Sequence, residues 1–532
     1  MLSSSFASSR AIWSLLLLLL RPLLNSGGIR RQFHSFGKLN KRFLNLSEHF
    51  LKTRSIPDFT AGQPLHETRP HLIKLGDLTP GIAATEYFER RLRLVEGLAA
   101  RSLVIVPGSV LKYASGAVFY KFQQNTDFYY LTGWNEPDSI CILEKPTNNL
   151  EDVIFHLVVP PKNPNAEQWE GNRTGIEGAK EIFNADQVFP NDRFVNHLEK
   201  LIQKNQFIYY DSLENKNKNS NFFANFFQKS DDENKFVTTI ESLLKKNNKN
   251  PHPISGIMTS LRVIKSNSEL AVLRKAGEIS GRAYNKAYAN FFQNERTLAS
   301  FLEYQFISGG CSGNAYIPVV AGGPNSLTIH YTRNDDIFHD GELVLVDAAG
   351  ALGGYRADIS RTWPVNGKFT PAQRDLYQAL LNVQRHCISQ CTELNQISLQ
   401  GLHDISVKEL TKELKNIGFL HLTEYETTKL YPHYIGHNLG LDVHDVPDYS
   451  RNKLLKKNQV ITIEPGIYVP DDMRWPKHFR NLGIRIEDNI AIQRDSQINL
   501  TVEAAKEIVD IENIAQNGIT TNYEEDVVDV LV

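Results

Sequence analysis

Four acidic residues stand where apolar strands should continue. In ELVLVDAAGALGGYRADISRTWPV, residues 342–365, Asp347 follows four aliphatic positions and Asp358 lies beyond a glycine-rich turn. In VITIEPG Glu464 follows a β-branched run, and in GIRIED Glu487 alternates with Ile484 and Ile486. A carboxylate inside such a run is costly to desolvate unless something positive compensates it, and a bound cation does so economically. Between these strands, YPHYIGHNLGLDVHD places His433, His437 and His444 within twelve residues, and each imidazole can act as metal ligand or proton carrier.

Asp347 and Asp358 are symmetric about Leu352 and Gly353, so a simple hairpin sets them opposite each other, where like charges repel. Strand alternation puts Arg485 on the face of Glu487 and Thr462 on that of Glu464, giving each acid a supporting partner. Singly, a buried acid reads as an ion-pair partner and a lone histidine as a satisfied core residue. Together they describe an oxygen-rich site for cations.

This ordered set resembles the pita-bread metallopeptidases, the family of methionine aminopeptidase, aminopeptidase P and prolidase, over about residues 255–515. The resemblance implies that Asp347 holds one metal, Asp358 and Glu487 bridge two, and His437 and Glu464 complete the second. It further assigns substrate contacts to His330, in TIHYTRN, and to His444, and places His433 near the pocket; for His330, anchoring a loop is the competing reading. One imidazole among four carboxylates favours Mn(II) over the sulfur-rich sets of structural zinc. Two such ions could activate water without a protein nucleophile. Glu464 is then the candidate to carry its proton to the leaving amine, with His444 and His330 stabilising the oxyanion.

Positioning these residues requires an α/β (α+β) architecture in two domains. From about residue 65 to 250, apolar runs such as SLVIVPG and DVIFHLVVP alternate with helical patterns. Within that span FYKFQQNTDFYYLTGWNEPDS resembles the N-terminal domain of aminopeptidase P, which small methionine aminopeptidases lack. The resemblance sets Asp127 at the active-site mouth and makes QWEGNRTG, with Trp169, a loop contributed across a subunit interface, so a homodimer is expected. Residues 213–250 turn rich in Asn, Lys and Ser and read as a solvated insertion and linker. A capping box at Ser266 and Glu269 opens the catalytic domain, 255–515, for which helices at 371–393 and 401–415 and a curved antiparallel sheet are expected. The acidic tail, 516–532, carries no pattern.

The length of 532 residues suits two domains, and a net charge of -2 leaves no basic field to recruit nucleic acid. The four cysteines, Cys141, Cys311, Cys387 and Cys391, form neither a disulfide framework nor a zinc knuckle and read as packed thiols. Residues 1–47 hold seven basic residues and no acid, the composition of a mitochondrial transit peptide; Leu15–Leu20 as the core of a secretory signal is the rival reading. Arg21-Pro22 interrupts that run, so no membrane span is expected, although peripheral association with the inner membrane stays open.

With such a leader, the resemblance narrows to mitochondrial intermediate-cleaving peptidases and Xaa-Pro aminopeptidases. It implies release of one N-terminal residue from imported proteins after presequence removal, in the matrix or at the matrix face of the inner membrane. A strict Xaa-Pro aminopeptidase shares every ligand and is the alternative. Metal-free binding modules of this fold and creatinase-like hydrolases are further readings, neither with a reason to retain all five ligands.

Overall fold

In the computed structural model the described residues are 60–212 and 235–519. The leader, the first part of the Asn/Lys-rich segment and the acidic tail beyond residue 519 lie outside them.

In the N-terminal domain, β1 (Ser102–Pro107), β2 (Ile140–Lys145), β3 (Ile154–Val159), β4 (Gln187–Pro190) and β5 (Phe207–Tyr209) form one sheet in the order β4-β3-β2-β1-β5, parallel at its two edges and antiparallel within. The continuous apolar run of β1 follows from burial on both faces. Val104 and Val106 enter one core cluster, while Leu103 and Ile105 enter another on the opposite side, as a period of two requires. Helix α1 (Ala84–Glu96), short α2 (Thr126–Thr132) and α3 (Pro164–Glu170) accompany the sheet, with α4 (Val195–Lys204) covering its second face.

The expected solvated linker is overturned from residue 235 onward. There α5 (Lys235–Lys246) buries Phe236, Ile240, Leu243 and Leu244 against Leu198, Leu201 and Ile202 of α4. Those four residues recur at helical spacing and form an apolar stripe, which outweighs the polar composition around them.

The beginning of the described chain is tied down. Lys162 Nζ donates to the Thr60 carbonyl at 3.0 Å, and Gly62 N–H donates to the buried Glu136 carboxylate at 3.2 Å. Thr174, just past α3, donates to the same carboxylate through its N–H and its hydroxyl.

The second domain begins with α6 (Ser255–Arg262) and α7 (Asn267–Tyr288). Ser266 and Glu269 form the expected capping box at the head of α7, satisfying two backbone N–H groups reciprocally. Helix α8 (Glu295–Ser308) follows, and after the first strands come α9 (Pro371–Gln390) and α10 (Leu399–Asn416). All of the domain's sheets are antiparallel. The first strands are β6 (Gly313–Asn314), β7 (Val319–Gly322), β8 (Leu343–Asp347), β9 (Gly350–Leu352), β10 (Tyr355–Arg356) and β11 (Ser360–Pro364). The last are β12 (Val460–Ile463), β13 (Gly466–Val469), β14 (Leu482–Arg485), β15 (Asp488–Ile492) and β16 (Gln497–Asn499). They pair as β6-β9-β10, β7-β8-β11, β12-β15-β16 and β13-β14. All four cysteines are free and buried. Among the described residues no helix is long and apolar enough to cross a membrane.

Candidate metal centre

The four acids sit at the ends of strands, where the ladders break, and not inside them. Asp347 closes β8, Asp358 precedes β11, Glu464 follows β12 and Glu487 lies between β14 and β15. The hairpin turns on Gly353–Gly354, with Leu352 opposite Tyr355. A two-residue turn of this hand needs positive φ at both central positions, and the glycines take +57° and +89°. The expected register is therefore one residue short. Asp347 faces Ser360, and Asp358 lies two residues before Ser360. Moving a turn by one residue moves each partner by two, so the two acids keep a common face and become diagonal neighbours instead of opposites.

The loop carrying the histidines lies against β12. Gly436 permits this approach, because a Cβ there would come within 1.9 Å of the Thr462 carbonyl oxygen. Thr462 N–H donates to the His437 carbonyl at 2.9 Å and its hydroxyl accepts from His437 N–H at 3.1 Å. His437 Nδ1 lies 3.0 Å from the Asn438 carbonyl, a contact that requires the proton on Nδ1 and leaves Nε2 as the ligand atom. That Nε2 is 3.5 Å from Asp358 Oδ2 and 3.3 Å from Glu464 Oε1. Asp358, His437 and Glu487 each offer a ligand atom, all within 4.8 Å of one another.

Partners from neighbouring elements aim each acid. The Asn489 side chain accepts from Asp358 N–H at 3.0 Å and donates to the Asp358 carbonyl. The Thr462 hydroxyl donates to Glu464 Oε1 at 3.1 Å, as alternation along the strand predicts. The Ser360 hydroxyl donates to Glu487 Oε2 at 2.7 Å, whereas buried Glu487 Oε1 has no hydrogen-bond partner among the described residues. Asp347 accepts from the Tyr316 hydroxyl at 2.5 Å and from Arg485 Nη2 at 2.7 Å. The expected pairing of Arg485 with Glu487 is corrected: Arg485 Nε reaches only Ser360 Oγ, at 2.8 Å, which in turn holds Glu487. Glu487 lies past the end of β14, beyond the alternation that would have put both on one face.

Electrostatically the cluster lacks positive charge. Burial, reinforced by repulsion from Asp358, Glu464 and Asp347, holds the Glu487 carboxyl well above the ordinary range. Burial likewise raises Asp358 and Glu464 against the opposing pull of His437. Burial disfavours the His437 imidazolium, yet its contacts with Asp358 and Glu464 outweigh that and lift it to about 9. Four carboxylates around one guanidinium and one imidazole, with one buried oxygen unpaired, make a donor set that fits hard divalent cations.

His433 and His444 are set as neutral bases. Burial, then the charge of Arg485, lowers His433 to about 3, and both its nitrogens are engaged, Nδ1 with the Tyr434 carbonyl and Nε2 with the Tyr468 hydroxyl, each at 2.9 Å. Arg485 Nη1 donates to that same hydroxyl at 2.8 Å. The His444 ring centroid is 4.4 Å from that of His437, whose charge, followed by desolvation, lowers His444 to about 4. Exposed His330 is near enough for its charge to add to the depression of both His433 and His444. Asp127, on α2, pairs with Arg262 at 2.6 Å. Trp169, on α3, is 85% exposed. Tyr316, Ser360, Tyr468 and Asn489 carry no sequence signal, since tyrosine, serine and asparagine near strands are ordinary.

The chain is similar to known proteins over most of its length. The model of metallopeptidase family M24 matches residues 271–494, and that of the aminopeptidase P N-terminal domain matches residues 87–209. The chain is 57% identical over 466 residues to Intermediate cleaving peptidase 55 of Saccharomyces cerevisiae, covering 88% of this chain and 91% of that protein. The chain belongs to metallopeptidase family M24. As an M24 enzyme it is a hydrolase that works with divalent metal ions, and its catalytic domain has the pita-bread fold. Human Xaa-Pro aminopeptidase 3 is 34% identical, covering 87% of this chain and 92% of its own. The crystal structure of Icp55 from Saccharomyces cerevisiae lacking its N-terminal 58 residues superposes with a TM-score of 0.77 at 54% identity, covering 83% of this chain and all of that one. Aminopeptidase P from E. coli, in its low pH form, gives a TM-score of 0.75 at 29% identity, over 83% of this chain and 100% of its own.

Proposed function

We propose that this M24 peptidase removes a single N-terminal residue from imported mitochondrial proteins after their presequence has been cleaved. The observation that carries the reading is the cluster of Asp358, His437 and Glu487, with an unpaired Glu487 oxygen, in a chain 57% identical to an intermediate cleaving peptidase. A plant relative named as mitochondrial, 33% identical over 483 residues, supports the same location, and the basic leader favours the matrix or the matrix face of the inner membrane. The domains run over 65–250 and 255–515.

Asp347, Asp358, His437, Glu464 and Glu487 would hold two divalent ions, Mn(II) by the hardness of the donors. When bound, these supply a nucleophile at neutral pH and polarise the scissile carbonyl. Glu464, whose buried carboxyl is raised toward neutrality, takes up a proton and returns it to the leaving amine. His444, held as a neutral imidazole, offers one N–H to the developing oxyanion, and His330 is the second candidate donor. His433 has no free nitrogen and orders Tyr468. The substrate α-amine approaches near Asp347, which limits the product to one residue. Exposed Trp169 and half-buried Asp127 would line the mouth, with Trp169 supplied across a homodimer interface.

The test incubates the chain lacking its leader with Mn(II) and peptides beginning Tyr-Ser, Phe-Ser or Xaa-Pro, with products identified by mass. Release of Tyr or Phe supports the reading. Cleavage confined to Xaa-Pro would establish the strict proline-directed alternative in its place.

A further inference from the structure

Four consecutive residues, Arg262–Lys265, grip the loop that ends in His444. Arg262 and Lys265 converge on Asp445, the next residue after His444, at 2.5 Å to Oδ1 and 2.9 Å to Oδ2. The Lys265 and Asp445 side chains are each 1% exposed, so this is a buried ion pair and not a surface one. Arg262 Nη2 also holds Asp442 at 2.7 Å, and its Nη1 reaches Thr126 and Asp127 of α2 in the N-terminal domain. The apolar members of the quartet act on the following residue: Val263 and Ile264 pack around Val446 and Tyr449.

Val446 has φ of +45°. A β-branched side chain in the left-handed region is strained, and such a conformation persists only where the surroundings over-determine it. The surroundings here are the quartet. The quartet is itself fixed to the sheet, because Lys265 N–H donates to the Asn458 carbonyl at 2.8 Å and Ile264 bridges Gln459 just before β12. Asp445 N–H donates to the Asn438 carbonyl at 2.9 Å, closing the loop back onto the residue after His437.

We infer that Arg262–Lys265 is a positioning clamp for catalysis: by holding Asp445 and the strained Val446, it fixes the backbone on both sides of His444 and aims that imidazole at the reacting carbonyl. The inference rests on the oxyanion role proposed above for His444. Through Thr126 and Asp127 the same clamp makes His444 sensitive to the seating of the N-terminal domain. Displacing a transition-state donor by about 1 Å can cost on the order of a hundredfold in rate, so a loosened clamp acts on kcat and not on metal binding.

The experiment is a double-mutant cycle on the metal-loaded enzyme, pairing Lys265→Met with His444→Ala. Lys265→Met is expected to lower kcat by about tenfold or more, with KM and metal content per chain held and with faster amide exchange confined to 438–446. In the His444→Ala background the same substitution should cost less than about twofold, since residues acting as a unit are non-additive. Equal factors in both backgrounds, or metal lost in step with kcat, would overturn the clamp. Unchanged kcat for His444→Ala alone would instead overturn the role of His444, while the exchange data still report whether the loop is held. Asp442→Asn, at the 39% exposed edge of the cluster, should show the same pattern more weakly, and carries the test if Lys265→Met does not fold.

Discussion

Replacing Arg485 by methionine removes the guanidinium that faces the four carboxylates while nearly preserving volume. Arg485 donates to Asp347 Oδ2 at 2.7 Å, to Ser360 Oγ at 2.8 Å and to the Tyr468 hydroxyl at 2.8 Å, and is 2% exposed. Without metal, its loss leaves Asp347 without its cation, and breaking a buried pair from one side costs about 3–5 kcal/mol. With divalent ions bound, these take over the compensation of Asp347. What remains is the loss of two neutral acceptors, about 1 kcal/mol each. The Arg485→Met chain should therefore lose markedly more stability in chelator than in saturating Mn(II), measured as denaturant midpoints of variant and parent in both conditions. An equal loss in both, or a greater loss with metal, would refute the reading that the cluster is built to be neutralised by cations.

Gly436→Ala forces a Cβ toward the Thr462 carbonyl and displaces His437, and should weaken metal binding by about ten- to a hundredfold, read as metal affinity, with the N-terminal domain unaffected. Glu464→Gln should keep the fold and lower kcat by about 10²–10⁴ in preparations matched for metal content; full turnover with metal in place would end the proton-relay role. His197 is lowered to about 4, by burial and then by His156, so the folded chain resists its protonation. The unfolded chain takes up that proton near the ordinary value of 6.5, so the stabilisation is complete above 6.5 and is lost as pH falls toward 4. His197→Phe should flatten the denaturant midpoint against pH across that window, and an unchanged slope would remove the assignment.

The acids of the site were legible because each breaks an apolar run, a local signal that survives without knowledge of the fold. Asp347, Asp358, Glu464 and Glu487 lie close enough to repel one another for the reason they stood out, being too costly to bury unpaired. The hairpin register was within reach as well, since Gly353–Gly354 is the dipeptide that accepts positive φ at both central turn positions. Symmetry between the two acids pointed one residue away from it. The roles of Tyr316, Ser360 and Tyr468 depend on contacts across strands far apart in sequence, and no local pattern distinguishes them. In α5 the apolar spacing of Phe236, Ile240, Leu243 and Leu244 was present but submerged in asparagine and lysine, and composition outweighed periodicity in the reading. The Arg262–Lys265 quartet was hidden for the opposite reason, since two charges bracketing two aliphatic residues before a helix suggest nothing in particular until Asp445 and Val446 are seen beside them.

The tether at the start of the described chain sets a floor on how far the chain can be trimmed from its N-terminal side. Thr60 and Gly62 are held by Lys162 and Glu136, and Gln63 reaches the Gly133 carbonyl and Asn135 N–H. A protease cutting within these residues would leave a buried carboxylate short of a donor, at a cost of about 1–3 kcal/mol, and would slacken the segment leading from Thr174 back to Trp169. An N-terminus upstream of Thr60 keeps that knot tied, so Thr60 marks how far the chain can be shortened from that side before the domain loosens.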